Sequence, residues 1–575
     1  MKRSGLSAAL GGLLLAACTP AEDTAPENAE TQTPAMEQPD ETAATGESAA
    51  SETAPEIAEA DLRWRISTLA DDAFEGRAPA TPGGIAASQW IADEMQRIGL
   101  EPGYEGSYFQ PVPLLEVTLD TENSSFDIAH DGLPLGLTMG EDVVYWTKRN
   151  VEEVAIENSE LVFVGYGVVA PEYDWNDYEG LDVEGKTVVM LINDPGYANP
   201  DAGIFNGNAM TYYGRWTYKY EEAARQGAAG VIVIHQTAPA SYGWNVVSGS
   251  WTGAQLDLAR EPGEGTFAAV ESWVTEDVAR QLFELSDLDF DALTEAAAEP
   301  GFEPVPMEGL TATATLHNST RTMDSRNVVG VVRGTQRPDE YVVYTAHWDH
   351  LGMRDAAEGE DAIFNGAVDN ATGTAAILEI GEAFVANPPE RSVMILAVTA
   401  EESGLLGSAY YGENPIVPYG QTVGGINIDA ILPTGRSRDV VVVGHGASEL
   451  EDVLTEAAAE QDRVIVADPN PEAGYFYRSD HISLAKHGVP MLYADGGEDL
   501  RVGGTEAGQA AGEDYRANRY HAPGDEYSAD WEMSGMVENT ELFYEVGSRL
   551  ANSNYWPNWY EGNEFRALRD EQRGE

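Results

Sequence analysis

Basic residues are scarce in this 575-residue chain. Thirty-two Lys and Arg stand against 98 Asp and Glu, giving a formal net charge of −66, and only five of the 32 are lysines (Lys2, Lys148, Lys186, Lys219, Lys486). A surface this acidic repels phosphate backbones and anionic lipid headgroups, which excludes charge-driven binding to nucleic acid. Cysteine is almost missing: with Cys18 alone, neither an intrachain disulfide nor a thiolate metal cluster can form. The apolar run Leu10 to Ala17 is too short to cross a bilayer. Aromatic and β-branched residues are plentiful, so the acidity lies on a normal globular body, suited to a salty medium that screens self-repulsion.

The chain is too long for one core, and its texture changes along its length. Lys2 and Arg3 precede the apolar run, which ends in Leu15-Ala16-Ala17-Cys18. Residues 1–18 resemble a lipoprotein signal peptide with its lipobox, with Cys18 as the lipid-modified residue and the mature protein expected on the periplasmic or cell-surface side of a bacterial outer membrane. Residues 19–60 are rich in Ala, Pro, Thr, Ser and acid, contain no basic residue, and read as a disordered tether. Residues 61–156 begin with helix, interrupted by a turn at Gly76-Arg77 and a break at Pro82-Gly83-Gly84. Residues 157–306 read as a β-rich unit around one helix, Tyr218 to Gln226, and carry none of the metal-type residues; Trp216, Tyr218 and Trp244 give it aromatics for a cleft wall or for its own core. In residues 307–575 strand and helix alternate, the rhythm of a mostly parallel sheet sandwiched by helices.

His347, Asp369, Glu401, Glu402, Asp429 and His521 follow one another along the last two-fifths of the chain. Each of three strand-like runs delivers one of them at its end: Tyr341 to Ala346 before His347, Val393 to Thr399 before Glu401, Gly424 to Ile428 before Asp429. In open α/β sheets such ends share one crevice. Imidazole and carboxylate suit zinc, and a pair of ions 3.5–4 Å apart needs a bridging carboxylate. Asp369, in the small-residue turn Gly366-Ala367-Val368-Asp369-Asn370-Ala371-Thr372-Gly373, is the natural bridge. Glu401 and Glu402 leave the chain in different directions, so one can bind metal while the other acts as base. Asp349 is placed to accept the second ring proton of His347 and fix its tautomer. His350, like His130, His235, His317, His445 and His487, has no assigned duty and reads as structural.

These residues lie in a wider pattern: His-x-Asp, Gly-Ala-x-Asp-Asn-Ala-x-Gly, Glu-Glu-x-Gly-Leu-Leu-Gly-Ser, Asn-x-Asp, Arg-Ser-Asp-His and Tyr-His-x-Pro-x-Asp-Glu. The pattern resembles the di-zinc exopeptidases, the family of aminopeptidase Y, the bacterial leucyl and Streptomyces-type aminopeptidases and glutamate carboxypeptidase. The resemblance implies a zinc-exopeptidase α/β fold with 157–306 as an inserted protease-associated domain. It implies two zinc ions per chain, one on His347 and Asp429, the other on Glu402 and His521, with Asp369 between them, a cis peptide at Asp369-Asn370, and Glu401 as general base and acid. It also implies Tyr520 as donor to the developing oxyanion and Arg478 as a substrate contact, unless Arg478 pairs with Asp480. Finding no arginine cluster for a substrate carboxylate, we expect an aminopeptidase acting on peptides. A carboxypeptidase or dipeptidase on the same scaffold is the alternative, and a non-catalytic surface binding protein is a third reading that metal content would distinguish.

Overall fold

The computed structural model describes residues 53–261, 264–357 and 359–574. Cys18, the signal segment and residues 19–52 of the acidic tether lie outside them; 53–60, expected to be part of that disordered tether, are described, and the first helix begins there at Glu59.

Helix α1 (Glu59–Leu69) is followed by α2 (Pro82–Ile98). Pro82 and Gly83, expected to break the helix, instead open it. Thr81 caps α2 by accepting from Gly84 N at 3.2 Å, and a proline in the first turn has no N–H to leave unpaired. Gly99, at φ +94°, ends the helix in the left-handed conformation. Strand β1 (Phe109–Leu119) then leads out of this unit.

The insert comprises β2 (Ser125–His130), β3 (Val143–Trp146), β4 (Glu153–Phe163), β5 (Thr187–Leu191), α3 (Trp216–Arg225), β6 (Gly230–His235), β7 (Val270–Thr275), α4 (Glu276–Leu285) and α5 (Phe290–Ala297). Strands β4, β5, β6 and β7 form a parallel row. It is therefore a mixed α and β unit with three substantial helices rather than one. The chain returns through β8 (Val305–Val332), a 28-residue strand that belongs to both sheets: Leu310 pairs with His130 of the insert, and further on Asn318 pairs with Leu119 of β1. The expected boundaries at 156/157 and 306/307 accordingly move. Residues 125–156 pair within the insert's sheet, and 310–316 do too, and β8 passes from one sheet to the other at His317-Asn318 without a turn.

Beyond β8 come β9 (Arg337–His347), α6 (Gly373–Ala386), β10 (Arg391–Val398), α7 (Leu406–Glu413), β11 (Thr422–Asn427), β12 (Asp439–Val442), α8 (Leu450–Glu460), β13 (Val464–Ala467), α9 (His481–Ala485), β14 (Met491–Gly496), α10 (Gly504–Asn518) and α11 (Ser534–Ala551). The strand order is β1-β8-β10-β9-β11-β14-β12-β13. Strands β10, β9, β11 and β14 run parallel at the centre, with antiparallel pairings on both sides. The central strands are buried on both faces, which is why β10 and β11 read as unbroken small and apolar runs. Helix α6 is covered nearly all round; Ile377, Leu378, Ile380 and Phe384 are each 0% exposed, each burial worth about 1.5–3 kcal/mol. Buried Arg65 of α1 reaches Glu94 of α2 at 2.9 Å and Glu379 and Glu382 of α6, binding the two N-terminal helices to α6.

Candidate metal centre

The parallel register brings the strand ends level. His347 pairs with Val398, Thr345 with Asn427, and Asn427 with Tyr493, so the residues just beyond β9, β10, β11 and β14 face one crevice. Thr374 of α6 donates to the His347 carbonyl at 2.8 Å. Asp369 sits in a kinked turn whose Asp369-Asn370 peptide is cis. Asn370 ties that turn to the neighbouring strand end: Nδ2 donates to Ile428 O at 3.0 Å, and Oδ1 accepts from Gly373 N at 2.9 Å and Ala430 N at 3.1 Å. A Cβ on Gly373 would stand 2.3 Å from Asn370 Oδ1 and 2.4 Å from Ile428 O, so only glycine fits. Buried Asp525 accepts from Val368 N and Asp369 N, both at 3.0 Å, and from Tyr515 Oη at 3.2 Å. Arg77 of the expected turn is fully buried and donates to the carbonyls of Trp348, Leu69, Asn365 and Gly366.

Two groups of donors result, and the carboxylate of Asp369 is divided between them. His347 Nε2 lies 3.2 Å from Asp369 Oδ1 and 3.2 Å from Asp429 Oδ1. His521 Nε2 lies 3.3 Å from Asp369 Oδ2 and 3.0 Å from Glu402 Oε2. Donors bound tetrahedrally to zinc at 2.0–2.2 Å stand about 3.3 Å from one another, so these separations suit the edges of two coordination shells that share Asp369. The donor types, imidazole and carboxylate without sulfur, suit zinc as well. The side chain of His347 is 1% exposed and that of His521 37%.

The two adjacent glutamates differ in their electrostatics. Burial raises Glu401 well above the ordinary carboxyl range, against the pull of His347. Burial and Asp369 push Glu402 up, yet hydrogen bonds from His350 and His521 bring it below its ordinary value. Desolvation, with Asp369, Glu402 and Glu401 nearby, raises the Tyr520 phenol above its ordinary value, although 48% of the residue is exposed. Tyr520 stacks on His521 at 3.9 Å between ring centroids.

Asp349 behaves differently from expectation. The ring Nδ1 of His347 contacts the main-chain carbonyl of Asp349 at 3.2 Å, while the carboxylate is 3.9 Å away and accepts instead from Glu401 N at 3.1 Å. Burial pushes its carboxyl up to about 6. Arg478 makes no ion pair with Asp480; its Nε and Nη2 are buried without a hydrogen-bond partner, and its guanidinium lies over Tyr242 at 5.6 Å and Tyr475 at 5.4 Å. Arg215, carried by the insert just before α3, also has an unpartnered buried Nε. Burial and the neighbouring charge of Arg478 bring it down to about 10. Ser479, next to Arg478, donates to Asp429 Oδ2 at 2.7 Å, so this arginine pair adjoins the donor groups. The aromatics expected at a cleft wall pack within the insert: Tyr218 is buried, and Trp216 lies 5.9 Å from Tyr220 and from Trp251.

Residues 327–544 match the model of peptidase family M28. This stretch, less than half of the chain, is similar to that family. All five donors, Glu401 and Arg478 fall inside the M28 region, while Arg215 and Arg77 lie outside it. Mouse (Mus musculus) Aminopeptidase NAALADL1 is 33% identical over 139 residues, 23% of this chain and 17% of that protein. A Glutamate carboxypeptidase 2 homolog of Caenorhabditis elegans is 30% identical over 139 residues, 23% of this chain and 16% of that protein. The chain thus spans about one sixth of the length of these curated relatives. Among solved structures, an aminopeptidase from Aneurinibacillus sp. strain AM-1 aligns over 87% of this chain and 95% of its own, at 16% identity and a TM-score of 0.48. BSAP, a zinc aminopeptidase from Bacillus subtilis, aligns over 88% and 99%, at 15% identity and a TM-score of 0.41.

The M28 region contains several residues whose roles the sequence left blank. Asp525 stands in the Tyr-His-x-Pro-x-Asp-Glu motif, where its spacing from His521 was the available signal. Asn370 and Ser479 likewise sit inside quoted motifs. Arg77 and Arg215 carried no local signal, since only tertiary packing brings them to the site.

Proposed function

We propose that the chain is a zinc metallo-exopeptidase that removes amino-terminal residues from peptides. His347 and Asp429 would hold one ion and Glu402 and His521 the other, with the carboxylate of Asp369 available to both. The observation that supports this reading is the division of the Asp369 carboxylate between two histidine-containing groups at metal-like separations. When bound, a pair of ions supplies a water nucleophile of lowered pKa and an electropositive seat for the scissile carbonyl. Glu401 takes a proton from the attacking water and passes it to the leaving amine; burial makes its carboxyl bind protons more readily than an exposed one. Tyr520, kept protonated, donates to the developing oxyanion. The carboxylates of Glu401 and Asp429 also suit a free α-ammonium.

A carboxypeptidase or dipeptidase reading is favoured by one observation, the Arg215 and Arg478 pair. Two guanidiniums with buried unpartnered N–H groups repel each other, and an anion between them would satisfy both. The terminal carboxylate of a short peptide has that chemistry. Matched peptides acetylated at the amino end or amidated at the carboxyl end discriminate the readings. Loss of cleavage on acetylation alone supports the aminopeptidase; loss on amidation alone supports the carboxypeptidase, and loss on both the dipeptidase. We also propose that Cys18 is lipid-modified and anchors the protein on the outer side of a bacterial membrane. Cys18→Ser protein that still partitions into the detergent phase would overturn that.

A further inference from the structure

We infer that His350 is a positioning residue for the Glu402 half of the centre, holding that carboxylate by a hydrogen bond instead of binding an ion. The inference rests on the dinuclear reading above. His350, Asp369 and Glu402 present donor atoms within 4.8 Å of one another, so by proximity alone His350 would count as a ligand. The distance decides otherwise. His350 Nδ1 is 2.6 Å from Glu402 Oε1, while the four contacts assigned to the coordination shells measure 3.0–3.3 Å. Two donors on one zinc cannot approach so closely, whereas a hydrogen bond to a carboxylate has that length. A carboxylate oxygen only accepts, so Nδ1 carries the proton, and the ring's remaining lone pair, on Nε2, points away from Glu402.

The two oxygens of Glu402 are thereby distinguished. Oε1 is occupied by His350, leaving Oε2, 3.0 Å from His521 Nε2, to face the ion. The imidazole has little room to leave this position. Its side chain is fully buried, and a Cβ on Gly366, at φ +54°, would stand 2.5 Å from its Cγ and 2.6 Å from its Cδ2. Arg77 Nη2 fixes the Gly366 carbonyl at 2.8 Å, and His350 N approaches Arg77 O at 3.4 Å. Nε2 is buried without a partner, so among the described residues the bond to Glu402 is the ring's only hydrogen bond. Partners that orient metal-binding carboxylates in this way are typically worth 10- to 100-fold in metal affinity.

The test is a cobalt(II) titration of the metal-stripped full chain, read by visible absorbance and repeated with zinc competition. Variants His350→Gln and His350→Ala remove the Nδ1 donor, Gln keeping the volume; His350→Asn restores an N–H at the Nδ1 position. Wild type should saturate at two ions. Gln and Ala should also saturate at two, with one ion bound roughly 10- to 100-fold more weakly, and Asn should lie close to wild type. If all three variants saturate at one ion, His350 is a ligand and the inference is wrong. Wild-type affinity in Gln and Ala would also overturn it. A wild-type chain that saturates at one ion would instead defeat the dinuclear reading, and the inference would fall with it.

Discussion

His347 and Asp429 stand at or just beyond the ends of adjacent parallel strands, whereas Glu402 and His521 stand on loops. The first pair inherits its position from the β ladder: the β9 and β11 register sets His347 beside Asp429, with one short bond from Ser479 to trim the carboxylate. The second pair has no such frame. Glu402 follows β10 in a turn, His521 follows α10 at φ +54°, and each relies on side chains, His350 for Glu402 and the stacked Tyr520 for His521. Exposure separates the two histidines, at 1% for His347 and 37% for His521, but not the two carboxylates, at 14% for Asp429 and 7% for Glu402. Backbone pairing places the strand donors, while the loop donors depend on side-chain contacts for their position.

Glu401 adjoins both halves and belongs to neither donor group, so its replacement gives the largest expected effect. Glu401→Gln should lower kcat by at least about 100-fold while atomic absorption finds the metal content of wild type. Metal loss in that protein would make Glu401 part of the coordination. Asp525→Ala leaves the N–H groups of Val368 and Asp369 without their acceptor, and Asp369 serves both halves. Both ions should therefore weaken by about 10- to 100-fold in chelator competition. Weakening of one ion alone would break the view that Asp369 is shared. Ser479→Ala removes a single bond to Asp429, and a loss of roughly tenfold, near the lower limit for such partners, is expected for the strand-borne ion only. An equal loss at both ions would erase the contrast between the halves.

Acid tests the support of the strand-borne half. His481 follows Ser479 by two residues, packs on Tyr493 at 5.0 Å, and is brought down to about 3 by burial, from an ordinary value of 6.5. Between those values the unfolded chain binds a proton that the folded chain refuses. Stability therefore falls as pH drops from about 6.5 toward 3, by about 1.4 kcal/mol per pH unit within that window. His481→Phe should flatten the acid limb of a plot of Tm against pH. An unchanged slope would show that other groups govern it.

Four of the candidate donors were legible in the sequence because each follows an apolar run or sits in a small-residue turn, and strand ends in a parallel sheet converge whatever the connections are; His521, on a loop after α10, was legible only through its motif and its order after the others. The central strands were legible for the same reason, since burial on both faces leaves no polar alternation. The boundary of the insert was not, because β8 alternates through two sheets without a turn. The extra helices α4 and α5 went unread inside a segment whose strands dominated its texture. Asp349 shows the limit of spacing: two residues from His347 suffices to place it nearby, but the ring met its carbonyl and the carboxylate met Glu401 N.

The sequence by itself determined the donor types, that is, imidazoles and carboxylates at strand ends and in loops, an aspartate in a glycine-rich turn, and no cysteine beyond Cys18. Tertiary structure decided the partners. Which oxygen of Glu402 is free, which carbonyls Arg77 holds, and that Arg215 of the insert meets Arg478 all depend on distances between segments far apart in the chain. A hydrogen bond distinguishes 2.6 Å from 3.3 Å, and no local pattern of residues fixes a separation that finely.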